Sequence, residues 1–380
     1  MSEIPFLITG KNVSKFKEID PFNPSNIIEG YLCKTPDLKY GMLYINRVNG
    51  LKVDNIVWAT PKMFYPVDRN GNWVFPKVRE VRVYEKYDGT NILGYRYHDH
   101  DGNQFVTYKT RLRPILSDGK YGNFKKLWDK ILDMYPEIPE LILKSGCNIS
   151  FELFGKKNKH LVEYPMSLDT RILFARFDDG FISVPDIFES SFVPIANLIK
   201  VIDGNTDLPK AYDEIKEYLN QNLKIDKRII GNEEEDWITG MEGSVWYAIG
   251  PEKYIQYKCK PKYVEDLHFK WACGIPKHSI YTTVINSFED TDDPTFEYIV
   301  ELLKEEYEES DIYKKSITIK RILDDIKFEM NLKHKIIEDY KKNEFDINKD
   351  KRNCMRFFGE NYDKKLATKI FILLQREYGD

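Results

Sequence analysis

The chain has 380 residues, a formal net charge of −4, 42% hydrophobic residues and 14% aromatic residues. This length exceeds one ordinary core, so two or three domains are expected. The apolar content excludes a disordered protein. The balanced charge gives no sign of a protein that coats nucleic acid, so any polyanion must be bound by local basic clusters.

The cysteines and the N-terminus indicate a cellular compartment. No two cysteines form a C-x-x-C pair, which disfavours a disulfide framework or a structural zinc site and favours a reducing environment (Cys33, Cys147, Cys259, Cys273, Cys354). The start, MSEIPFLITGKN, has an acidic third residue and too short an apolar run for a signal peptide, and no later segment approaches a membrane span. We therefore expect a cytoplasmic protein without a membrane segment.

Residues 1–75 are predicted to form a β-rich N-terminal module. Short apolar runs in this stretch, such as GMLYINRVNGLKV, are interrupted by proline and glycine. Asn70-Gly71 adds a turn signal near its end. The pattern is typical of short strands joined by tight turns.

Residues 76–262 are predicted to form an α+β domain with antiparallel sheets, because runs of strands are interrupted by a few helices. The predicted strands are Arg79–Lys86, Asn91–His98, Gln104–Thr110, Asn148–Phe154, Arg171–Phe177, Gly243–Ile249 and Tyr254–Lys260. The predicted helices are Phe124–Tyr135, Pro185–Lys200 and Lys210–Asn222.

The chain after Pro261 is predicted to be mainly helical. Asp293-Pro294 is a favourable helix start, with an N-cap candidate before proline. One helical stripe then contains Phe296, Val300, Leu303 and Tyr307. Such stripes serve either a core or a subunit interface, and the pattern alone favours a core. The acidic run at 289–311 is most simply a solvated face and disfavours contact with RNA.

The stretch EVRVYEKYDGTN, residues 80–91, has two interpretations. Alternating apolar residues on both sides of Asp88-Gly89 are typical of a β-hairpin with a tight turn. Alternatively, Lys86 lies at the end of a rigid strand, where its amine could be aimed into a pocket as a nucleophile. These residues alone leave both interpretations open, with the hairpin favoured.

Further segments place polar side chains on strands that are otherwise apolar. Glu152 lies within NISFELFG, and Glu242 precedes the apolar strand that begins at Gly243, where a carboxylate suits either a turn or a cation near a phosphate. Lys258 and Lys260 are two residues apart and should project from one strand face, as if around an anion. KTRLRP likewise puts Lys109, Arg111 and Arg113 on one predicted strand face, and Phe177, the last residue of another predicted strand, offers an aromatic platform.

In chain order these segments read K-x-D-G, F-E-x-F-G, aromatic-Asp, x-E-G and K-x-K, over about residues 80–262. This order resembles the covalent nucleotidyltransferase superfamily of ATP-dependent ligases and capping enzymes. The resemblance implies an antiparallel-sheet, ATP-grasp-like ligase catalytic domain in which Lys86 becomes adenylated.

The helical region after Pro261 disfavours DNA ligases and capping enzymes, which typically continue into a β-barrel. The whole plan is similar to the homodimeric ATP-dependent RNA ligases. That resemblance implies a dimerisation region at 263–315, a C-terminal helical domain at 316–380, and RNA with 5′-phosphate and 3′-hydroxyl ends as the substrate. Another enzyme of the superfamily, a DNA ligase or an RNA guanylyltransferase, and an inactive RNA-binding module of the same fold are the alternatives.

The resemblance also implies roles for individual residues. Lys258 and Lys260 would contact the α-phosphate of ATP, and Glu242, with Glu152, would bind Mg²⁺ or Mn²⁺. Glu152 would also accept a ribose hydroxyl. The remaining implied roles are a turn that aims Lys86 (Asp88, Gly89), recognition of adenine (Glu85, Phe177), and capture of the RNA 5′-phosphate (Arg111, Lys109, Arg113). The basic cluster at 156–160 either follows the RNA backbone or is a solvated loop.

Overall fold

A computed structural model describes residues 12–35, 37–68, 70–117, 124–158, 160–230, 233–251, 254–269, 275, 277–304, 309–363 and 366–378. Lys159, Cys273 and Tyr307 lie outside the described residues. The chain divides into two compact units, the first reaching residue 272 and including 289–291, the second holding most of the rest. The predicted α+β class is confirmed, with antiparallel sheets, strands near the N-terminus and helices near the C-terminus.

The first unit begins with an antiparallel sheet of four strands in sequential order, β1 (Val13–Ile19), β2 (Ile27–Cys33), β3 (Leu43–Val48) and β4 (Leu51–Val57). Ile28 and Ile45 of this sheet are buried in one cluster with Leu93 and Tyr95, which belong to a later strand. The N-terminal strands therefore share a core with the region that carries the candidate site.

Two further antiparallel sheets form the body of this unit. Its remaining elements are β5 (Glu80–Lys86), β6 (Thr90–His98), β7 (Gln104–Lys109), α1 (Phe124–Met134), α2 (Ile138–Ser145), β8 (Asn148–Phe154), β9 (Asp169–Arg176), β10 (Ile182–Ser183), β11 (Leu198–Asp203), α3 (Leu208–Asn222), β12 (Lys224–Ile230), β13 (Glu233–Thr239), β14 (Gly243–Ile249), β15 (Tyr254–Cys259) and α4 (Lys262–Phe269). One sheet has the order β10-β9-β8-β6-β7 and the other β11-β5-β14-β15, while β12 pairs with β13.

The apolar patterns explain this packing. Strand β8 is buried along its whole length because it is central in its sheet and covered on both faces. In β5, Val81 and Val83 point to one side, where they pack with Ile215 and Leu219 of α3. Helix α3 begins at a cap in which the Asp207 carboxylate accepts a hydrogen bond from the Lys210 amide.

The hairpin interpretation of residues 80–98 is wrong. Strand β5 pairs with β11 and β14, whereas β6 pairs with β7 and β8 in the other sheet. The chain therefore crosses from one sheet to the other through Tyr87, Asp88 and Gly89. Local alternation is the same for a hairpin and for two strands that join different sheets, so the pattern could not distinguish them.

The predicted helix Pro185–Lys200 is also wrong. Only a short 3₁₀ turn forms, at Pro185–Phe188, and the chain then becomes β11, which pairs with the edge of β5. Pro194 disfavours a continuing helix because it lacks an amide hydrogen. The residues after Pro194 instead form a strand that pairs with β5.

The second unit is helical, as predicted. Its helices are α5 (Lys277–Asp290), α6 (Phe296–Leu303), α7 (Glu309–Lys314), α8 (Ser316–Lys342), α9 (Lys351–Asn361) and α10 (Ala367–Tyr378). Helix α6 starts two residues later than the predicted cap implies, because the Thr295 side chain accepts the Tyr298 amide. Ile319 and Ile326 of α8 pack with α6, whereas Ile336 and Tyr340 pack in a separate cluster with α9 and α10.

Within the described residues, no helix combines the length and the apolar character that crossing a bilayer requires. The four described cysteines are buried free thiols (Cys33, Cys147, Cys259, Cys354).

Candidate active site

The strand register brings Lys86, Glu242 and Lys260 together. Lys86 pairs with Gly243 across β5 and β14, and Ser244 pairs with Cys259 across β14 and β15. Lys86 and Lys260 therefore lie on either side of the start of β14. The Glu242 carboxylate forms a short ion pair with Lys86 through Oε2, and its Oε1 lies 3.2 Å from Lys260 Nζ. Two ammonium groups thus share one buried carboxylate.

The crossover after Lys86 is tied to the loop that follows β8. Asp88 Oδ2 accepts hydrogen bonds from the amides of Leu161 and Val162 at 2.6 Å each, and the Asp88 amide donates to the Tyr164 hydroxyl at 2.8 Å. Gly89 has no room for a side chain, because a Cβ there would lie 2.1 Å from the Leu153 carbonyl oxygen. Asp88 and Gly89 therefore fix the path of the chain just beyond Lys86.

His160 belongs to the same loop, and the sequence does not identify it as a site residue. Its Nε2 lies 3.3 Å from the Thr90 hydroxyl, which also hydrogen-bonds to Asn158. Burial lowers the pKa of His160, although Asp88 and Glu242 oppose this effect, so the imidazole is neutral at neutral pH. The basic residues at 156–160 predict either RNA contacts or a solvated loop. No pattern in the sequence indicates that His160 lies against Thr90.

Burial and neighbouring charges shift the pKa values of Glu242 and Glu152 in opposite directions. Burial alone would raise the pKa of Glu242, but Lys86 and Lys260 outweigh it and hold this pKa at about 2. Burial is also the largest effect on Glu152 and raises its pKa to about 8, with Glu242 and Asp88 adding to the rise. At neutral pH Glu242 is therefore ionised, whereas Glu152, in the absence of a cation, keeps its proton to a higher pH than an ordinary carboxyl group. Two ammonium groups facing one carboxylate leave positive charge that suits a phosphate.

Lys258 lies one row further along the same sheet face. It pairs in register with Val245, which pairs on its other side with Tyr84. The Lys258 ammonium lies 4.7 Å from the centre of the Tyr65 ring, and its backbone amide donates to the Phe64 carbonyl. The predicted common face of Lys258 and Lys260 is thus observed, but Lys260 is the lysine in contact with Glu242.

The predicted strand face with Lys109, Arg111 and Arg113 does not exist. Strand β7 ends at Lys109, whose buried Nζ donates to the carbonyls of Gly41, Thr110 and Arg111 at 3.1, 2.7 and 2.7 Å. These bonds turn two consecutive carbonyls toward one ammonium, whereas a strand would direct them to opposite sides. Arg111 and Arg113 consequently lie in the loop beyond the strand, and the charge of Arg111 reaches Glu152 and lowers its pKa.

The two predicted adenine contacts, Glu85 and Phe177, have other neighbours in the structure, Asn197 and Phe181 respectively. The Glu85 carboxylate accepts a hydrogen bond from the Asn197 side chain at 2.8 Å. Phe177 follows the end of β9, six residues beyond Arg171, the register partner of Glu152, which corresponds to about 20 Å of extended chain. Phe174 of the same strand instead packs in the buried cluster that contains Tyr84.

A divalent cation is compatible with this site. Glu242, Glu152 and Asp88 are close enough to affect one another's pKa, and their oxygens are the donors that Mg²⁺ prefers. Among the described residues, no three Asp, Glu, His or Cys side chains stand close enough to hold a metal by themselves. A bound ion would therefore complete its shell with water and substrate oxygens, as Mg²⁺ commonly does.

No family model and no curated protein matches the sequence. Among solved structures, an archaeal ATP-dependent RNA ligase is similar at 14% identity and a TM-score of 0.46, over 83% of this chain and 75% of that one. A putative ATP-dependent DNA ligase from Aquifex aeolicus shows 16% identity and a TM-score of 0.42, over 87% and 77%. A Naegleria gruberi RNA ligase solved with PPi shows 14% identity and a TM-score of 0.36, over 51% and 53%. Similarity at this level concerns the backbone and not the activity.

Proposed function

We propose that the protein is an ATP-dependent RNA ligase, which joins a 5′-phosphate end to a 3′-hydroxyl end through a lysyl-AMP intermediate. The supporting observation is that Lys86 and Lys260 share the carboxylate of Glu242 at the ends of neighbouring strands. Lys86 and Lys260 place two positive charges beside this one carboxylate, and positive charge suits a triphosphate. The order of the K-x-D-G, F-E-x-F-G, x-E-G and K-x-K segments supports the same chemistry.

In the first step, the Lys86 ammonium group releases one proton, and the neutral amine then attacks the α-phosphorus of the substrate ATP. A P–N bond forms, the bond between the α-phosphorus and the bridging oxygen breaks, pyrophosphate leaves, and the amine proton passes to solvent. Lys260, with Lys258 on the same face, stabilises the charge that develops on the α-phosphate. Asp88 and Gly89 keep Lys86 aimed at this position.

In the second step, an oxygen of the RNA 5′-phosphate attacks the phosphorus of lysyl-AMP. The P–N bond breaks, Lys86 regains a proton, and a phosphoanhydride links AMP to the RNA. A 3′-hydroxyl then attacks the RNA phosphorus, a phosphodiester forms, AMP leaves with the electron pair of the broken P–O bond, and the hydroxyl proton is released. Arg111 is the proposed ligand of the 5′-phosphate, with Arg113 in the same loop.

Glu242 and Glu152 are the proposed ligands of Mg²⁺ or Mn²⁺. A divalent ion there would neutralise charge on the phosphates of ATP. The Glu152 carboxyl is also proposed to bind a ribose hydroxyl. The contacts of Glu85 and Phe177 with adenine stay predictions from the sequence resemblance.

Mass spectrometry of the protein after incubation with ATP and Mg²⁺ tests the proposal. We expect one AMP adduct, on the peptide that contains Lys86, and its loss in Lys86→Ala. Lys200→Ala is the matched control, because Lys200 lies on the adjacent strand β11 and also faces a glutamate, at 3.7 Å. An adduct from GTP alone would identify a guanylyltransferase. No adduct, together with RNA affinity unchanged in Lys86→Ala, would identify a binding module.

The choice of polymer and the oligomeric state need separate measurements. AMP-loaded protein should join 5′-phosphorylated single-stranded RNA faster than it seals nicked DNA, and the reverse preference would identify a DNA ligase. We further propose a homodimer formed through residues 263–315. Sedimentation should then give twice the mass of the chain, whereas a monomer at micromolar concentration would contradict it.

A further inference from the structure

The ammonium group of Lys109 is buried and faces backbone carbonyls instead of solvent. The side chain is fully buried, and its Nζ donates to three carbonyl oxygens. A lysine ammonium has three hydrogens, which is enough for these three bonds. A buried charge is costly unless it is compensated in this way. The role of Lys109 must therefore lie in what it holds in place.

Lys109 holds the loop of Arg111 against a turn of the N-terminal sheet. Two of its acceptors are the carbonyls of Thr110 and Arg111, and the third is that of Gly41, between β2 and β3. Gly41 has a φ of +79°, and a Cβ there would lie 2.3 Å from the Arg111 carbonyl oxygen. Only glycine permits this approach in this conformation.

The Arg111 side chain contacts the same turn of the N-terminal sheet. Its guanidinium lies 5.5 Å from the centre of the ring of Tyr40, which is buried next to Gly41. Arg111 Nε is buried and has no hydrogen-bond partner among the described residues. The charge of Arg111 nevertheless acts on Glu152, in the candidate site. A guanidinium that is fixed in this way and has an unused donor is suited to an anion.

We infer that Lys109 is a positioning residue, which together with the Tyr40-Gly41 turn holds Arg111 ready to bind the 5′-phosphate of the polynucleotide. The inference rests on the proposed function and assigns the N-terminal sheet a part in the second step only. The proposed first step assigns Arg111 no contact with Lys86 or ATP. The loss of Lys109 should therefore affect the transfer of AMP to RNA and spare the loading of AMP.

The two steps can be measured separately in the full-length protein. We expect Lys109→Met to load AMP from ATP within about twofold of the unmodified protein. With AMP-loaded protein and limiting 5′-phosphorylated RNA, we expect transfer to slow by about 10- to 100-fold, the range for a lost hydrogen bond to a charged group. Arg111→Ala should show the same defect, and Lys109→Arg should recover part of the rate. Lys125→Met is the control, since Lys125 is partly buried, its ammonium group also donates to more than one oxygen, here the two of Asp129, and it lies over an aromatic ring.

The double variant Lys109→Met with Arg111→Ala gives the sharpest result. If Lys109 acts through Arg111, the double variant should transfer AMP no more slowly than Arg111→Ala alone. Independent, multiplying losses would overturn the inference, and so would a Lys109→Met defect that is equal in loading and transfer. Should Lys109→Met fail to fold, Tyr40→Leu, which leaves the Lys109 acceptors intact, must reproduce the transfer defect or the inference is wrong. Failure of the unmodified protein to load AMP would instead refute the proposed function.

Discussion

Replacing Glu152 by glutamine should remove a dependence of stability on pH. Burial raises the pKa of Glu152 from 4.5 to about 8. Because the folded pKa lies above the unfolded one, the unfolded chain releases its proton first as the pH rises. The contribution of Glu152 to the free energy of unfolding is therefore greatest below pH 4.5 and decreases until the pH passes about 8.

The size of the effect follows from the shift. Each pKa unit corresponds to about 1.4 kcal/mol, so the full shift corresponds to about 5 kcal/mol. Between about pH 5.5 and pH 8 the linkage relation gives a loss of about 3 kcal/mol from this one carboxyl. Glutamine has nearly the same shape but no ionisation, so this loss should be absent from Glu152→Gln.

Urea unfolding at several pH values, followed by tryptophan fluorescence, measures this difference. Trp58, Trp73, Trp128 and Trp246 belong to the first unit, and helices α5 to α10 contain no tryptophan, so the signal follows the unfolding of the first unit. Other titrating groups, such as His160, contribute to both proteins and cancel in the comparison. The control Glu140→Gln changes an exposed glutamate and should behave like the unmodified protein. Equal losses of stability in Glu152→Gln and the unmodified protein would refute the reasoning.

Three further predictions concern the same cluster. Gly89→Ala should lower the free energy of unfolding by about 2 kcal/mol or more, because its Cβ would lie 2.1 Å from the Leu153 carbonyl; a thermal melt unchanged from the parent would contradict this. The Glu242 pKa of about 2 contributes stability that is lost as the pH falls below 4.5, about 3 kcal/mol in all, and urea unfolding of Glu242→Gln should lack this acid-side loss. Lys260→Met should slow AMP loading by about 100-fold in single-turnover measurements, and more than Lys258→Met, since Lys260 lies 3.2 Å from Glu242 whereas Lys258 lies over the ring of Tyr65; equal effects would argue against this division of roles.

The sequence predicts single elements better than it predicts their partners. The alternation of Val81 and Val83 and the apolar run around Glu152 identify β5 and β8 correctly, because burial on a sheet imposes these patterns locally. The hairpin interpretation and the predicted helix Pro185–Lys200 are wrong because the structure of these residues depends on pairing with strands that are distant in the sequence. Pairing of that kind is decided by tertiary contacts and leaves no local signal.

In the candidate site, too, the sequence predicts which residues take part better than it predicts which contacts their side chains make. The resemblance to ligases puts Lys86, Glu242 and Lys260 in one site, and the structure brings the three together, while their roles stay predictions. Two-residue spacing suggested that Lys109 and Arg111 share a task, but the strand ends between them and one of the two is buried. His160 lacked any signal, since its inward position depends on the hydrogen bonds that the loop makes with Asp88 and Thr90.

The nucleophile candidate lies where the chain passes between two sheets, and this has a consequence for mutations far from any ligand. Lys86 ends a strand of one sheet and Glu152 belongs to the other, so their separation depends on the angle at which the sheets meet. Rings such as Phe154, Phe174 and Tyr247 fill the space between the two layers. Trimming one of these rings would let the layers settle closer or tilt. The distance between Lys86 and Glu152 should therefore depend on the size of these aromatic side chains as much as on the charged groups themselves.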